Sequence, residues 1–468
     1  MMYYLSVDFG TSAVKMSVLD EELRVKCWNK AEYQYLILPG EKNELRETDL
    51  MNAFYSAAAG LDPELLKKVE MFCYDTFSPS VVFMDREGEL VYRNIITHLD
   101  RRSRKQSDDI ERLIGKDAYM SISGIYPFAG GCSAMTLLWF VQNMPEIIEK
   151  SSYIGHLTTW IHKKLTGLWM VDFVNASMLG VYETTKQGGW SKEILKEIGV
   201  DYRLFPEIRY PGSVYGRLKK EIAHRLGLRE GIPVCVGTND VAAAQMGAGN
   251  CAPGDIMDTA GSSEMVSILT DQPVTNPGYY LRNSALPGIW QVYATTCGGF
   301  GIRWFYEQFC RELSIEEFYR YEEREINRFL AQGNGGITAD PYLSGDRQSL
   351  EKRTASFRGL TLASTRGELL TAMLEGIQSV IYGTISMAEQ FQRIQPVIKI
   401  SGGMVTPAYL KLKEAMYPQY KLLQVDDCPI LGNAALAQYW SEKSEKGETK
   451  GESSKNIKRN SHSFRNPV

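Results

Sequence analysis

Tyr3-Tyr4-Leu5-Ser6-Val7-Asp8-Phe9-Gly10-Thr11-Ser12-Ala13-Val14-Lys15-Met16-Ser17-Val18-Leu19 holds two apolar-rich runs around a Gly-Thr-Ser turn. That pattern predicts a β-hairpin. A second run of the same kind is Asp255-Ile256-Met257-Asp258-Thr259-Ala260-Gly261-Ser262-Ser263-Glu264-Met265-Val266-Ser267-Ile268-Leu269. It again reads as strand, Gly-Ser-Ser turn, strand, and its glycine lies 251 residues after Gly10. Two such hairpins, each opening about half of the folded body, point to a duplicated domain.

Around them, strands alternate with helices. Val234-Cys235-Val236 reads as a short buried strand, and Asp240–Met246 as the start of a helix. Apolar spacing through Leu369, Leu370, Met373, Leu374, Ile377, Val380 and Ile381 predicts a long helix over Glu368–Gln390. Pro396–Ile400 is an apolar strand followed by Ser401-Gly402-Gly403 and a helix through Tyr409–Met416. A last helix is expected at Gly432–Trp440. The alternation predicts an α/β fold, and the polar run 441–468 is expected to be disordered.

Composition narrows the class. At 468 residues the chain is long enough for two or three domains. Its 44% apolar and 23% charged residues fit a folded soluble protein. No apolar run approaches the roughly 20 residues that cross a bilayer, and no signal peptide is readable. The net charge is −4, and no basic patch with interleaved aromatics appears, which argues against nucleic acid as a partner. The eight cysteines include no CxxC pair and only five histidines accompany them, so no zinc pattern is present. Scattered cysteines without a secretion signal lead us to expect reduced thiols and a cytoplasmic setting.

Chemistry is sought at the turns. Gly10 lets backbone N–H groups approach a phosphate closely, and Thr11 and Ser12 add hydroxyl donors. Asp8, at the strand end, can hold hydrated Mg²⁺. Taken alone, the motif reads more readily as a plain turn capped by an aspartate. Gly261, Ser262 and Ser263 repeat the same logic, and an ATP held between two lobes needs a phosphate clamp from each. The Gly402-Gly403 turn can lie against a base and ribose, although such turns are also the ordinary way to join a strand to a helix. Asp240 reads both as an N-cap and as a general base that the helix dipole keeps ionised. Other motifs fail: Gly115-Lys116 is followed by Asp117, so there is no P-loop, and Gly247-Ala248-Gly249-Asn250-Cys251-Ala252 follows a helix, so it is no dinucleotide fingerprint.

At Ala355-Ser356-Phe357-Arg358-Gly359-Leu360, then seven residues, then Glu368-Leu369-Leu370-Thr371-Ala372-Met373-Leu374-Glu375, the chain resembles the second signature of the FGGY carbohydrate kinases. These belong to the actin, Hsp70 and sugar kinase superfamily. Pro341-Tyr342-Leu343-Ser344-Gly345-Asp346-Arg347 resembles the family's PYLxGER segment, and Gly131–Trp139 its first signature with Thr136 in place of the usual Lys. The resemblance runs from about Tyr3 to Trp440 and is xylulokinase-like.

The resemblance implies two actin-like (ribonuclease H-like) domains with a deep cleft. Residues 1–243 would form the sugar-binding side and 244–440 the ATP-binding side. Asp8 would lie on the Mg²⁺ side, and Gly10, Thr11, Ser12, Gly261, Ser262, Ser263, Gly402, Gly403 and Asn433 on the nucleotide. Asn433 lies in Ile430-Leu431-Gly432-Asn433-Ala434-Ala435, which matches the family's last helix start. Asp240 would be the catalytic base. Asp100 and Arg102, in Leu99-Asp100-Arg101-Arg102, would contact sugar. His98 stands where the family usually has Trp, and Phe77-Ser78-Pro79 where xylulokinases usually read Met-His-Gly, so Ser78 and His98 join the candidate sugar contacts. The implied reaction moves the γ-phosphoryl of ATP to a hydroxyl of a small ketose or polyol, with Mg²⁺ as cofactor and a homodimer as the candidate assembly. The competing readings are an actin- or Hsp70-like ATP-dependent switch and a catalytically degenerate sugar sensor.

Overall fold

The computed structural model describes residues 2–128, 130–343, 345 and 353–445. The tail from 446 onward, and Ser344, Asp346 and Arg347 of the PYLSGDR segment, lie outside the described residues. The chain divides into two compact units. The first holds residues up to Cys251, Leu281–Trp290 and the chain from Asp427; the second holds Ala252–Tyr280 and Gln291–Asp426.

The first unit is built on a sheet whose strands run in the order Val214–Arg217, Pro233–Cys235, Met71–Thr76, Tyr4–Phe9, Ala13–Leu19, Val25–Glu32. Tyr4–Phe9 pairs antiparallel with Ala13–Leu19 and parallel with Met71–Thr76. Met71–Thr76 is buried along its whole length, as expected for a parallel strand covered on both faces. Leu5, Val7, Phe9, Phe72 and Tyr74 enter one core with Phe54, Trp160 and Leu226. A second sheet joins Leu36–Leu38, Lys42–Arg46, Asn94–Ile96, Val81–Met84 and Tyr153–His156.

The second unit repeats the scheme. Ile256–Ala260 pairs antiparallel with Glu264–Thr270 and parallel with Val397–Ser401. Both expected hairpins therefore form, and in each unit the hairpin's first strand lies between its antiparallel mate and a later parallel strand. The long helix runs Arg366–Glu389, opened by a capping box of Thr365 and Glu368. Phe318, Ile326, Leu370, Met373, Ile377, Tyr409 and Leu412 make the core beneath it.

The last helix differs from the sequence reading at both ends. The last helix runs Cys428–Glu445, four residues earlier and five later than expected, so 441–445 is helical. Pro429 explains the early start, since a first-turn residue needs no intrahelical N–H. That helix also packs in the first unit: Ser6 Oγ donates to the Ile430 carbonyl at 2.8 Å. No helix among the described residues is long and apolar enough to cross a membrane.

Candidate active site

Three parallel strands of the first unit end at one level. Asp8 pairs in register with Asp75, Thr238 also pairs with Asp75, and Asn239 pairs with Thr76. Ligands of open α/β sheets gather at such carboxyl ends. The helix Asp240–Gly247 starts there. Its cap is Asn239, not Asp240: Asn239 Oδ1 accepts from the Val241 and Ala242 amides at 3.0 and 3.4 Å. Asp240 is the first helical residue, and its Oδ1 accepts from the Val241 amide at 2.8 Å and from Asn239 Nδ2 at 2.7 Å.

The expectation that the helix dipole keeps Asp240 ionised needs correction. Burial, and next the charge of Asp8, push its carboxyl up to about 7, against the helical amide bond and the Arg282 guanidinium, which pull it down. Burial also raises Asp8, and burial with the charges of Asp8 and Asp240 raises Asp75 far above the carboxylate range. Asp75 was not among the sequence candidates. Its signal was a charge at the end of an otherwise uncharged strand, Met71–Thr76.

The Gly10 amide donates to the Ala13 carbonyl at 3.1 Å, and Tyr33 Oη donates to the Gly10 carbonyl, so the first turn is held from within and from beside. Thr11 and Ser12 are exposed. Asn433 is directed elsewhere than expected. It is buried, and its Nδ2 donates to Asp75 Oδ2 and, at 3.4 Å, to the Val7 carbonyl. Its amide is spent on a carboxylate of the sheet, so its influence on a nucleotide would run through Asp75.

The sugar candidates fall into two groups. Asp100 and Arg102 are turned on each other: Arg102 Nε and Nη2 donate to Asp100 at 2.9 and 2.7 Å, and Nη2 also reaches Glu44. Asp100 Oδ2 further accepts from the Asn43 amide at 2.8 Å. Burial raises the Glu44 carboxyl, but bonds from Tyr92, Asn94 and Arg102 win and hold it low. These side chains are 1–2% exposed, so the pair expected to contact sugar forms a closed network with Glu44. Ser78, by contrast, follows the strand that carries Asp75 and stays partly exposed. Its Oγ donates to Asn175 Oδ1 at 2.5 Å, and Asn175 continues to His156 and Asp172. The His98 ring meets Phe77 edge-on, with centroids 5.9 Å apart.

In the second unit, the Gly261-Ser262-Ser263 turn is gripped by the helix Gly298–Phe309. The Gly299 amide donates to the Gly261 carbonyl at 3.0 Å, and the Phe300 amide to the Ser262 carbonyl at 2.7 Å. Gly402 has φ +115°, and a Cβ there would lie 2.3 Å from the Ala260 carbonyl oxygen. Only glycine lets that backbone reach the hairpin, so the structure brings Gly402 against Ala260 and the Gly261 amide. Beneath them Lys413 is buried and donates to Asp258 at 2.6 Å, Glu264 at 2.5 Å and Gln378 at 2.6 Å. Sequence reading missed this cluster, since its residues are scattered over four elements.

Among the described residues no group of three or more His, Cys, Asp or Glu is set to hold a metal ion. The pair Asp8 and Asp75 does fit a hard cation: Oδ1 of each is buried without a hydrogen-bond donor. None of the eight cysteines is joined in a disulfide.

The N-terminal domain model of the FGGY family of carbohydrate kinases matches residues 3–247. The chain is 26% identical over 449 residues to the xylulose kinase of Lactococcus lactis, covering 94% of this chain and 88% of that protein. It is 25% identical over 377 residues to the L-fuculokinase of Escherichia coli K12, covering 78% and 76%. Among solved structures, ligand-bound xylulose kinase from Lactobacillus acidophilus superposes with a TM-score of 0.85 at 18% identity, over 94% of this chain and 90% of that one. The two-unit α/β fold is thus the actin-like fold of sugar kinases, and this chain belongs to the FGGY family of carbohydrate kinases.

Proposed function

We propose that the protein transfers the γ-phosphoryl of ATP to a hydroxyl of a small sugar, with a ketose such as xylulose as the first candidate and Asp240 as general base. The observation that carries this reading is the state of Asp240. Its Oδ1 is held by the Val241 amide and Asn239, while Oδ2 takes no hydrogen bond among the described residues. A fixed carboxylate with one spare oxygen, at the carboxyl ends of the strands and beside Asp8, can take the proton of an attacking alcohol.

Phosphoryl transfer rests mainly on positioning and charge neutralisation. The turn Gly10, Thr11 and Ser12 carries N–H and hydroxyl donors suited to phosphate oxygens, and so, taken by itself, does the turn Gly261, Ser262 and Ser263. The Gly402-Gly403 turn would take the adenosine. Mg²⁺, when bound on the Asp8 side, supplies neutralisation of phosphate charge. Ser78 and His98 would touch the sugar, and Asp100 with Arg102 would fix the segment carrying His98.

The xylulose kinase and L-fuculokinase relatives support a sugar acceptor without choosing one. The test is ADP release with ATP, Mg²⁺ and a panel of D-xylulose, L-ribulose, L-rhamnulose, L-fuculose, gluconate, glycerol and erythritol. A sugar-dependent rate that Asp240→Asn abolishes supports the reading. Sugar-independent ATP turnover that survives in that variant overturns it and favours the switch.

A further inference from the structure

We propose that Asp75 joins Asp8 in a two-carboxylate site for one divalent cation. The inference rests on the reading that Asp8 lies on the cation's side. Asp8 and Asp75 are register partners on neighbouring parallel strands, so their side chains leave the same face of the sheet. Both Oδ1 atoms are buried and take no donor. The Asp75 side chain is wholly buried, and the two carboxyl groups interact directly. Asn433 Nδ2 holds Asp75 Oδ2, which leaves Oδ1 as the oxygen free to meet Asp8.

Such a pair is costly as it stands, because adjacent buried carboxylates repel and each orphaned oxygen lacks its hydration. The charges around it do not repair this. Lys15 favours the ionised form of Asp8 but is itself paired with Asp427, while Asp240 adds a third carboxylate and Arg282 acts on Asp240. What fits between the two oxygens is a proton or a cation. The donor set decides the kind of cation: hard carboxylate oxygens, few in number, with no nitrogen or sulfur ligand, suit Mg²⁺ or Mn²⁺.

The experiment is Mn²⁺ titration of the nucleotide-free full chain, following the free-ion electron paramagnetic resonance signal, with melting temperatures measured alongside. Wild type should bind one ion, and Asp8→Asn and Asp75→Asn should each weaken it at least about tenfold. Without metal, Asp75→Asn should melt no lower than wild type, because it removes a buried acid whose Oδ1 has neither a donor nor a cation. Mn²⁺ should raise the melting temperature of wild type but not of the variant. If Asp8→Asn weakens binding and Asp75→Asn does not, the Asp75 assignment falls and the reading of Asp8 stands. If neither weakens it, both fall. If wild type binds no Mn²⁺, the pair holds a shared proton and the proposal is overturned. Should Asp75→Asn fold poorly, Asp75→Ser serves the same titration.

Discussion

Gly247 and Gly432 bring two helices into backbone contact. A Cβ on Gly432 would stand 1.7 Å from the Ala243 carbonyl oxygen, and one on Gly247 would stand 1.8 Å from that of Cys428. The helix that carries Asp240 at its first position is therefore seated on Cys428–Glu445 through two missing side chains. Replacing Gly432 by Ala must push the helices apart, and Asp240 with them. We expect Gly432→Ala to lower kcat by about 10²-fold, the scale of an ångström-sized misplacement of a reacting group. The KM for ATP should change little. Steady-state kinetics with the best sugar of the panel checks this, and an unchanged kcat would show that the site is positioned from elsewhere.

Asp240→Asn keeps the shape and the Val241 contact but cannot accept the proton. The expected loss in kcat is about 10²–10⁴-fold. ATP affinity, measured by calorimetry, should stay within a factor of about two, since no phosphate donor is touched. Loss of ATP binding in this variant would move Asp240 from base to nucleotide ligand.

What was legible in the sequence was what depends on local pattern. The two hairpins show because a glycine-hydroxyl turn between apolar runs is a short-range signal, and the long helix shows because its apolar face repeats over more than five turns. Asp8 and Asp240 were readable as charges beside turns. Asp75 was not, because its meaning lies in its register with Asp8 on a strand more than sixty residues away. Asp100 and Arg102 were readable as sugar contacts by resemblance, but sequence cannot show that Glu44 comes from a strand to close a network on them. Gly247 looked like a stray motif glycine, and only the packing of Gly432 against it gives its reason.

Lys413 sits with no exposure among Asp258 and Glu264, one on each strand of the Gly261–Ser263 hairpin. Burial pushes the Asp258 carboxyl up to about 7 against the pull of Lys413, while Lys413 stays charged because its carboxylates outweigh its burial. Lys413→Met strands two buried acids and should cost about 3–5 kcal/mol of stability. In the fraction that folds, KM for ATP should rise with KM for sugar unchanged. The double variant Lys413→Met with Glu264→Gln should recover part of the loss in urea denaturation. No recovery would mean that the lysine acts by packing alone.

Arg102 is the hub between Asp100 and Glu44. Its planar guanidinium also lies over the Trp139 ring at 5.3 Å. Arg102→Lys cannot reproduce the fork or the stacking, so we expect it to raise the sugar KM by about tenfold while sparing that for ATP. Asp100→Ala should act in the same direction. If both variants bind sugar normally, the segment from His98 to Arg102 lies off the acceptor path.

His156 and His162 are wholly buried, and burial holds each imidazole down at about 4. The folded state keeps them neutral, so the unfolded chain takes up protons first as pH falls. Their contribution to stability is complete above the ordinary histidine value near 6.5 and is lost as pH falls from there toward 4. Carboxyls raised by burial, such as Asp172 at about 6, work in the opposite sense, so the comparison must be between variants. His162 Nε2 lies 2.7 Å from the Tyr215 carbonyl, and a glutamine amide can donate there without titrating. His162→Gln should therefore lose about 2 kcal/mol less stability than wild type between pH 7.5 and pH 5. Paired urea melts at the two pH values measure that difference, and parallel losses would show that His162 is protonated in the folded protein.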